Sequence, residues 1–205
     1  QVPIGCGLAF SHKYRDEANV CLTYLGDGAV NQGQVYESFN MAALWDLPVL
    51  FVIENNQYGM GTAVTRAAAG RSLAERGAAY GIPGRQVDGM DVLAVRKAGA
   101  EALEHCRTGK GPYIVEMKTY RYRGHSMSDP AKYRTREEVD AMRKQHDPID
   151  QLREVLHKQN VTEDRLKEID ADVKTIVLRA TKFAQTSSEP DPSELFTDIL
   201  IPVGG

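Results

Sequence analysis

Two short stretches hold residues whose types and spacing suit chemistry. One is Gly26-Asp27-Gly28; the other is Glu54-Asn55-Asn56-Gln57-Tyr58-Gly59. A carboxylate, an amide carbonyl and a backbone carbonyl from a turn are oxygen ligands of the kind Mg²⁺ accepts, the rest of its shell being water and phosphate oxygens. Gly28 and Ala29 lead toward a helix, and a helix amino end offers free N–H groups and a positive dipole to a phosphate. Asp27 and Asn56 are therefore candidate ligands of a hard cation that also holds a diphosphate. An Asp-Gly pair is ordinary turn chemistry as well. What sets this one apart is the paired asparagine at a second strand end.

The elements that must position these residues can be read from the pattern. Val20 to Leu25 is an apolar run of strand length, and Val35, Phe39, Ala42, Ala43 and Leu44 follow helical spacing between Asn31 and Trp45. Pro48 to Ile53 is a second apolar run, ending at the asparagines. Strand, glycine-rich turn, helix, strand and polar turn make a βαβ unit. In a parallel sheet both polar turns lie at the carboxyl ends of their strands, where open α/β sheets bind ligands.

A third stretch belongs to the same edge. Pro112 to Tyr120 reads as another strand and delivers Arg121 to Arg136, with four arginines, His125, Ser126, Ser128 and Asp129 and no apolar periodicity. A charge-rich run is ordinarily a solvated loop. At the carboxyl edge of this sheet it suits a diphosphate and an anionic substrate instead, and an imidazole there can donate to an oxyanion or move a proton near neutral pH.

These residues carry a resemblance. Gly26-Asp27-Gly28, the segment Asn31 to Trp45, and Glu54-Asn55-Asn56 resemble the thiamin-diphosphate motif, which begins Gly-Asp-Gly and ends in paired asparagines. Asn55 to Thr62, Tyr120 to Pro130 and Tyr133 to Glu138 are similar to the alpha subunits of pyruvate dehydrogenases. The resemblance implies an α/β fold, a mostly parallel sheet flanked by helices. It implies Mg²⁺ held by Asp27, Asn56 and the Tyr58 carbonyl, and thiamin diphosphate bound by Gly26, Asp27, Gly28, Ala29, Asn56, Tyr58, Met60 and His125. His125 is expected at the entrance, supporting acyl transfer. A lone methionine such as Met60 is ordinarily core filler. Implied partners are a beta subunit in a heterotetramer of two alpha and two beta chains, pyruvate, and the lipoyl domain of dihydrolipoyl acetyltransferase. The glutamate that activates the cofactor comes from the beta subunit in that family, so neither Glu37 nor Glu54 takes that role. Ser126 matches a serine phosphorylated in mitochondrial members. Ala63 and the serine-free stretch around Ala131-Lys132 replace two others, which favours a bacterial, cytoplasmic enzyme over one of the mitochondrial matrix. A segment preceding Gln1 is expected from the abrupt entry into a helix.

Composition narrows the alternatives. A 205-residue chain with 42% hydrophobic and 26% charged residues supports one respectable core. A net charge of −3 gives no electrostatic reason to expect nucleic acid or an anionic membrane. Cys6, Cys21 and Cys106 lack metal spacing and read as reduced, buried thiols. His12, His105, His146 and His157 fall in helical stretches and read as surface or packing residues.

The remaining organisation follows start and stop signals. Thr62 to Gly70 reads as a loop, and Ser72-Leu-Ala-Glu75 as a capping box opening a short helix to about Tyr80. A strand near Arg85 to Val87 follows, then a helix from Asp91, as N-cap, to Arg107. Thr135 caps a helix to about Lys144, and Asp147-Pro148 starts another. Between Thr162 and Ala184 an apolar stripe at three- and four-residue steps reads as core or subunit interface. A linker from Gln185 leads to a short segment through Leu200 suited to docking on a partner. The expected layout is a cofactor-binding α/β domain over 1–145 and a helical extension of it over 146–205. Competing readings are a related 2-oxo-acid or acetoin dehydrogenase alpha subunit, a nucleotide-binding regulatory module, and an inactive assembly fragment. The module is disfavoured because neither a P-loop nor a full dinucleotide fingerprint is present.

Overall fold

Strand β2 (Val49–Asn55) is apolar along almost its whole length because both of its faces are covered. In the computed structural model, which describes residues 1–70 and 72–197, it lies inside a four-stranded parallel sheet of order β1-β2-β6-β5. The others are β1 (Cys21–Gly26), β5 (Gly84–Asp88) and β6 (Tyr113–Lys118). Register aligns Gly26 with Glu54, and Asn55 with Lys118, which also pairs with Asp88. The exits of all four strands therefore share one edge.

Helices cover the two faces. On one, α1 (Val2–Tyr14) and α2 (Gly33–Leu44) bury Val2, Cys6 and Ala9 with Val35, Phe39 and Ala42 against Val49, Phe51, Ile53 and Ile114. Phe39 meets Phe51 edge to face at 4.8 Å. On the other, α4 (Val92–Arg107) presents Ala98, Ala102 and Cys106 to Leu50, Val52 and Val115. Asp91 caps α4 as read, its Oδ1 accepting from the Leu93 and Ala94 N–H groups at 2.9 and 3.0 Å.

Several local expectations are corrected. Thr62 to Gly70 is not an unstructured loop: β3 (Tyr58–Gly59) and β4 (Thr62–Ala63) form a small antiparallel hairpin, followed by the single-turn helix α3 (Val64–Ala67). The Ser72 capping box does not form. The Ser72 hydroxyl accepts the Ala74 N–H and donates to buried Glu116, so Ala74–Tyr80 winds as a 3-10 helix without a side-chain cap. Helices α5 (Arg136–His146) and α6 (Pro148–Lys158) start at Thr135 and Asp147 as expected.

The chain divides into two compact units, 1–154 and 155–205. In the second, α7 (Glu163–Thr186) is capped by Thr162, whose hydroxyl accepts the Arg165 N–H at 3.3 Å. Its stripe is not core: Leu166 is buried, but Ile169, Val173, Ile176, Val177 and Phe183 are 42% to 75% exposed. A 3-10 turn over Pro192–Phe196 follows, and the expected docking segment through Leu200 lies largely outside the described residues. No described helix is long and apolar enough to cross a membrane.

Candidate active site

Asp27 emerges from β1 into the protein rather than into water. It is 2% exposed, and its Oδ2 has no hydrogen-bond partner among the described residues. Burial pushes its carboxyl above the usual range, against the pull of its own N–H, the Arg121 guanidinium and the Asn56 N–H. After it, Ala29–Asn31 forms one 3-10 turn, and extended Gln32 separates this from α2. The α-helix therefore begins at Gly33, not at Asn31 as the spacing suggested. Gly28 and Ala29 present their backbone from a single turn rather than from the end of a long dipole.

Two consecutive side-chain turns shape the exit of β2. Asn55 Oδ1 accepts the Gln57 N–H at 2.9 Å and Asn56 Oδ1 accepts the Tyr58 N–H at 3.2 Å. Gln57 takes φ +70°, and Met60, at the hairpin tip, φ +54°. Such values in non-glycine residues cost energy that surrounding contacts must supply. Met60 is 65% exposed, so it is not core filler. The turn after β1 and this hairpin approach backbone to backbone: a Cβ on Gly28 would lie 3.5 Å from the Gly59 Cα, and one on Gly59 3.4 Å from that of Gly28.

The loop after β6 closes the third side. Arg134 is its fastener. Its guanidinium donates to the Arg121 carbonyl and, at 2.8 Å, to the Asn56 carbonyl, with the rings of Tyr120 and Tyr58 at 4.2 and 4.6 Å from its carbon. Arg121 donates to the Met60 carbonyl at 2.7 Å and the Tyr133 hydroxyl at 2.8 Å. Two of the four loop arginines thus hold structure together, while Arg123 and Arg136 are exposed. Asp129 accepts the His125 N–H, the Tyr133 hydroxyl and the Ala131 N–H at 2.7 to 2.9 Å, and these bonds hold its carboxyl below the usual range. A Cβ on Gly124 would lie 2.4 Å from the Asp129 carbonyl oxygen, so only glycine allows the loop to fold this tightly. Exposed His125 has Nδ1 3.4 Å from Arg121 Nη1. Arginine only donates, so any hydrogen bond across this contact has Nδ1 as its acceptor. Ser126 is exposed, its hydroxyl 3.0 Å from that of Ser128.

The donor set fits a hard cation. Among the described residues no three His, Cys, Asp or Glu side chains group into a metal site. What the edge offers is one buried carboxylate with an unpartnered oxygen, one side-chain amide oxygen with a lone pair beyond its turn bond, and turn carbonyls. Mg²⁺ accepts such a partial shell and completes it with phosphate and water. A cavity of 370 Å³ lined by Arg123, Lys132 and Arg136 lies along the loop and α5, and neither Asp27 nor Asn56 lines it.

Sequence reasoning missed Glu116. It is 1% exposed in the middle of β6, and its Oε1 accepts Asn55 Nδ2 at 2.7 Å. The signal was available: a carboxylate between Val115 and Met117 in an otherwise apolar strand must be paired if buried. The thiols take no part. Cys6 and Cys106 are buried, which pushes both up to about 11, and Cys21 is half-buried. His12 and His157 pair with Glu17 and Glu163, and His105 meets the Tyr113 ring.

Comparison with known proteins places these residues in context. The family described as "Dehydrogenase E1 component" matches residues 1–193. The chain is 62% identical over 202 residues to the "Pyruvate dehydrogenase E1 component subunit alpha" of Rhizobium meliloti (strain 1021), covering 98% of this chain and 58% of that protein. It is 56% identical to the protein of that name from Zymomonas mobilis, covering 98% of this chain and 57% of the relative. To the testis-specific mitochondrial form of Rattus norvegicus it is 53% identical, covering 95% of this chain and 50% of that protein. The chain thus spans between half and three fifths of these relatives.

Proposed function

The chain belongs to the dehydrogenase E1 component family, and from that premise we propose that it is the alpha subunit of a pyruvate dehydrogenase using Mg²⁺ and thiamin diphosphate. The observation that carries the reading is the buried, unpartnered Asp27 oxygen just past the end of β1, the strand next to the one that ends in the Asn55-Asn56 turn. When bound, thiamin diphosphate supplies the nucleophilic carbon and the electron sink that decarboxylation of a 2-oxo acid requires.

The chain's own residues hold and surround that group. Asp27, Asn56 and the Tyr58 carbonyl would hold Mg²⁺, and the backbone at Gly26, Gly28 and Ala29 would meet the diphosphate, the two glycines putting no side chain in the way. Met60, exposed at the hairpin tip, would lie near the cofactor rings. His125 offers a ring N–H to an anion at the entrance and assists transfer of the acetyl unit to a lipoyl group of dihydrolipoyl acetyltransferase. A beta subunit completes the site in an α₂β₂ heterotetramer and supplies the activating glutamate, so the alpha chain alone is inactive. Ser126, exposed beside His125, is accessible to a kinase, where phosphate would add negative charge at an anion-binding entrance. The bacterial relatives support a cytoplasmic setting.

Calorimetric titration of thiamin diphosphate into the co-purified alpha–beta complex, with Mg²⁺ and with chelator, tests the reading. Metal-dependent binding that disappears in Asp27→Ala and Asn56→Ala is the expected result. No binding by an intact complex overturns it, and turnover of another 2-oxo acid in preference to pyruvate reassigns the substrate.

A further inference from the structure

The metal-binding turn is strained at Gln57, and something must hold it. The paired asparagines differ sharply in their surroundings. Asn56 is half-buried with its Oδ1 on the Tyr58 N–H, whereas Asn55 is 5% exposed and turns its amide back into the sheet. There Nδ2 donates to Glu116 Oε1 at 2.7 Å, which leaves Oδ1 as the atom that accepts the Gln57 N–H at 2.9 Å. The other Glu116 oxygen is saturated. Oε2 accepts the Ser72 hydroxyl at 2.8 Å, the Leu73 and Ala74 N–H groups at 2.8 and 3.1 Å, and Gln86 Nε2 at 3.0 Å. One carboxylate therefore ties β2, β5 and the Ser72–Ala74 segment to β6.

This arrangement dictates the direction of an amide that could otherwise lie either way round. A carboxylate presents acceptors on both sides, so it can satisfy the four donors at Oε2 and still demand a donor from Asn55. With Nδ2 so engaged, the Asn55 carbonyl must point at the Gln57 N–H, closing the turn that aims Asn56 Oδ1 and the Tyr58 carbonyl. We propose that Glu116 is a positioning residue for the Mg²⁺–diphosphate site, acting through the orientation of Asn55 on the Asn56–Tyr58 turn. The inference rests on the reading of Asp27 and Asn56 as metal ligands. Glu116 has no proton to exchange and no route to substrate; its oxygens are fully engaged in the interior.

The donor pattern supplies its own test. In Glu116→Gln the amide oxygen must stay with the four donors, so its NH₂ faces Asn55 Nδ2, donor against donor. Flipping Asn55 only transfers the clash to the Gln57 N–H. The double variant N55D/E116Q removes it, since the carboxylate introduced at position 55 accepts both from the amide introduced at position 116 and from the Gln57 N–H, and the pair keeps one negative charge. The experiment measures the Mg²⁺ concentration that half-saturates thiamin diphosphate binding, by calorimetry on the alpha–beta complex, together with the melting temperature of each variant.

E116Q is expected to require about 10- to 100-fold more Mg²⁺, the usual cost of losing a partner that orients a ligand-bearing group. The double variant should return to within about threefold of wild type, because the lost pairing energy is shared between the two positions. Asp91→Ala, a cap variant remote from the turn, sets the effect of lowered stability alone and should leave the Mg²⁺ requirement unchanged. Wild-type affinity in E116Q overturns the proposal, as does a folded double variant that fails to recover, which keeps the test decisive where E116Q itself folds poorly. A wild-type complex that shows no Mg²⁺-dependent binding overturns the underlying site reading instead.

Discussion

Among the described residues, Asp27 and Glu116 are the two buried carboxylates at the sheet's carboxyl half, and they are in opposite states. Asp27 has an oxygen without a partner, and burial raises its pKa. For Glu116 burial pushes the same way, yet hydrogen bonds from Asn55, Gln86, Ser72 and the Ala74 N–H outweigh it and leave the carboxyl below the usual range. One group has an oxygen free of the fold; the other has both oxygens engaged in it. Asp27→Asn should therefore abolish Mg²⁺-dependent binding while the ligand-free chain keeps or gains about 1 kcal/mol, since a buried carboxylate with an unpartnered oxygen is removed. A marked fall in melting temperature without ligand would show that the carboxylate is structural. Glu116→Gln should cost roughly 1–3 kcal/mol at neutral pH. The sign with pH follows from the lowered value: the carboxylate's contribution is present above its unfolded pKa and is lost as pH falls through the folded one. Urea melts of wild type and variant should thus converge under acid conditions, and a gap independent of pH would contradict the assignment.

At the scale of elements, the site is three strand exits fastened to one another. The loop over residues 121–135 carries too little apolar surface to order itself, and Arg134 substitutes for a core by bridging two carbonyls between aromatic faces. Lysine, with a compact ammonium, cannot span both carbonyls and lie between the rings. Arg134→Lys should release the loop at a local cost of about 2 kcal/mol, read as faster amide exchange across 121–135 while β2 and β6 stay protected. Unchanged exchange would show that Arg121 and Asp129 suffice. Helix α4 is a simpler case. Losing the Asp91 cap should cost about 1 kcal/mol and lower the melting temperature by several degrees.

At the scale of the whole molecule, the apolar stripe of α7 stands out by not being buried. Val173 and Ile176 are 52% and 63% exposed, and the aliphatic stem of a lysine keeps part of the area they cover, so replacing both with lysine should change stability by under about 1 kcal/mol. If the stripe is the subunit contact that the proposed heterotetramer requires, native mass measurement of the variant with a beta subunit should show dissociated chains. An intact tetramer would move the contact elsewhere.

Much of this was legible in the order of residues. The βαβ unit, the strand ends at Asp27 and Asn56, and the caps at Asp91, Thr135 and Asp147 depend on near neighbours in the chain, and local periodicity and turn chemistry report on near neighbours. The start of α2 at Gly33 and the failed cap at Ser72 were not legible, and of the two readings of the α7 stripe, core or subunit interface, only its exposure removed core. At Ser72 the deciding partner is distant in sequence: its hydroxyl serves Glu116, 44 positions away. The same holds for the site. Sequence determined which oxygens and cations lie at the strand ends; only the parallel register of β1, β2 and β6 brought them to one edge. Only tertiary structure turned Asn55 inward to Glu116 and committed Arg134 to carbonyls and rings, because a buried polar group takes whichever partner the packing of distant segments leaves within reach.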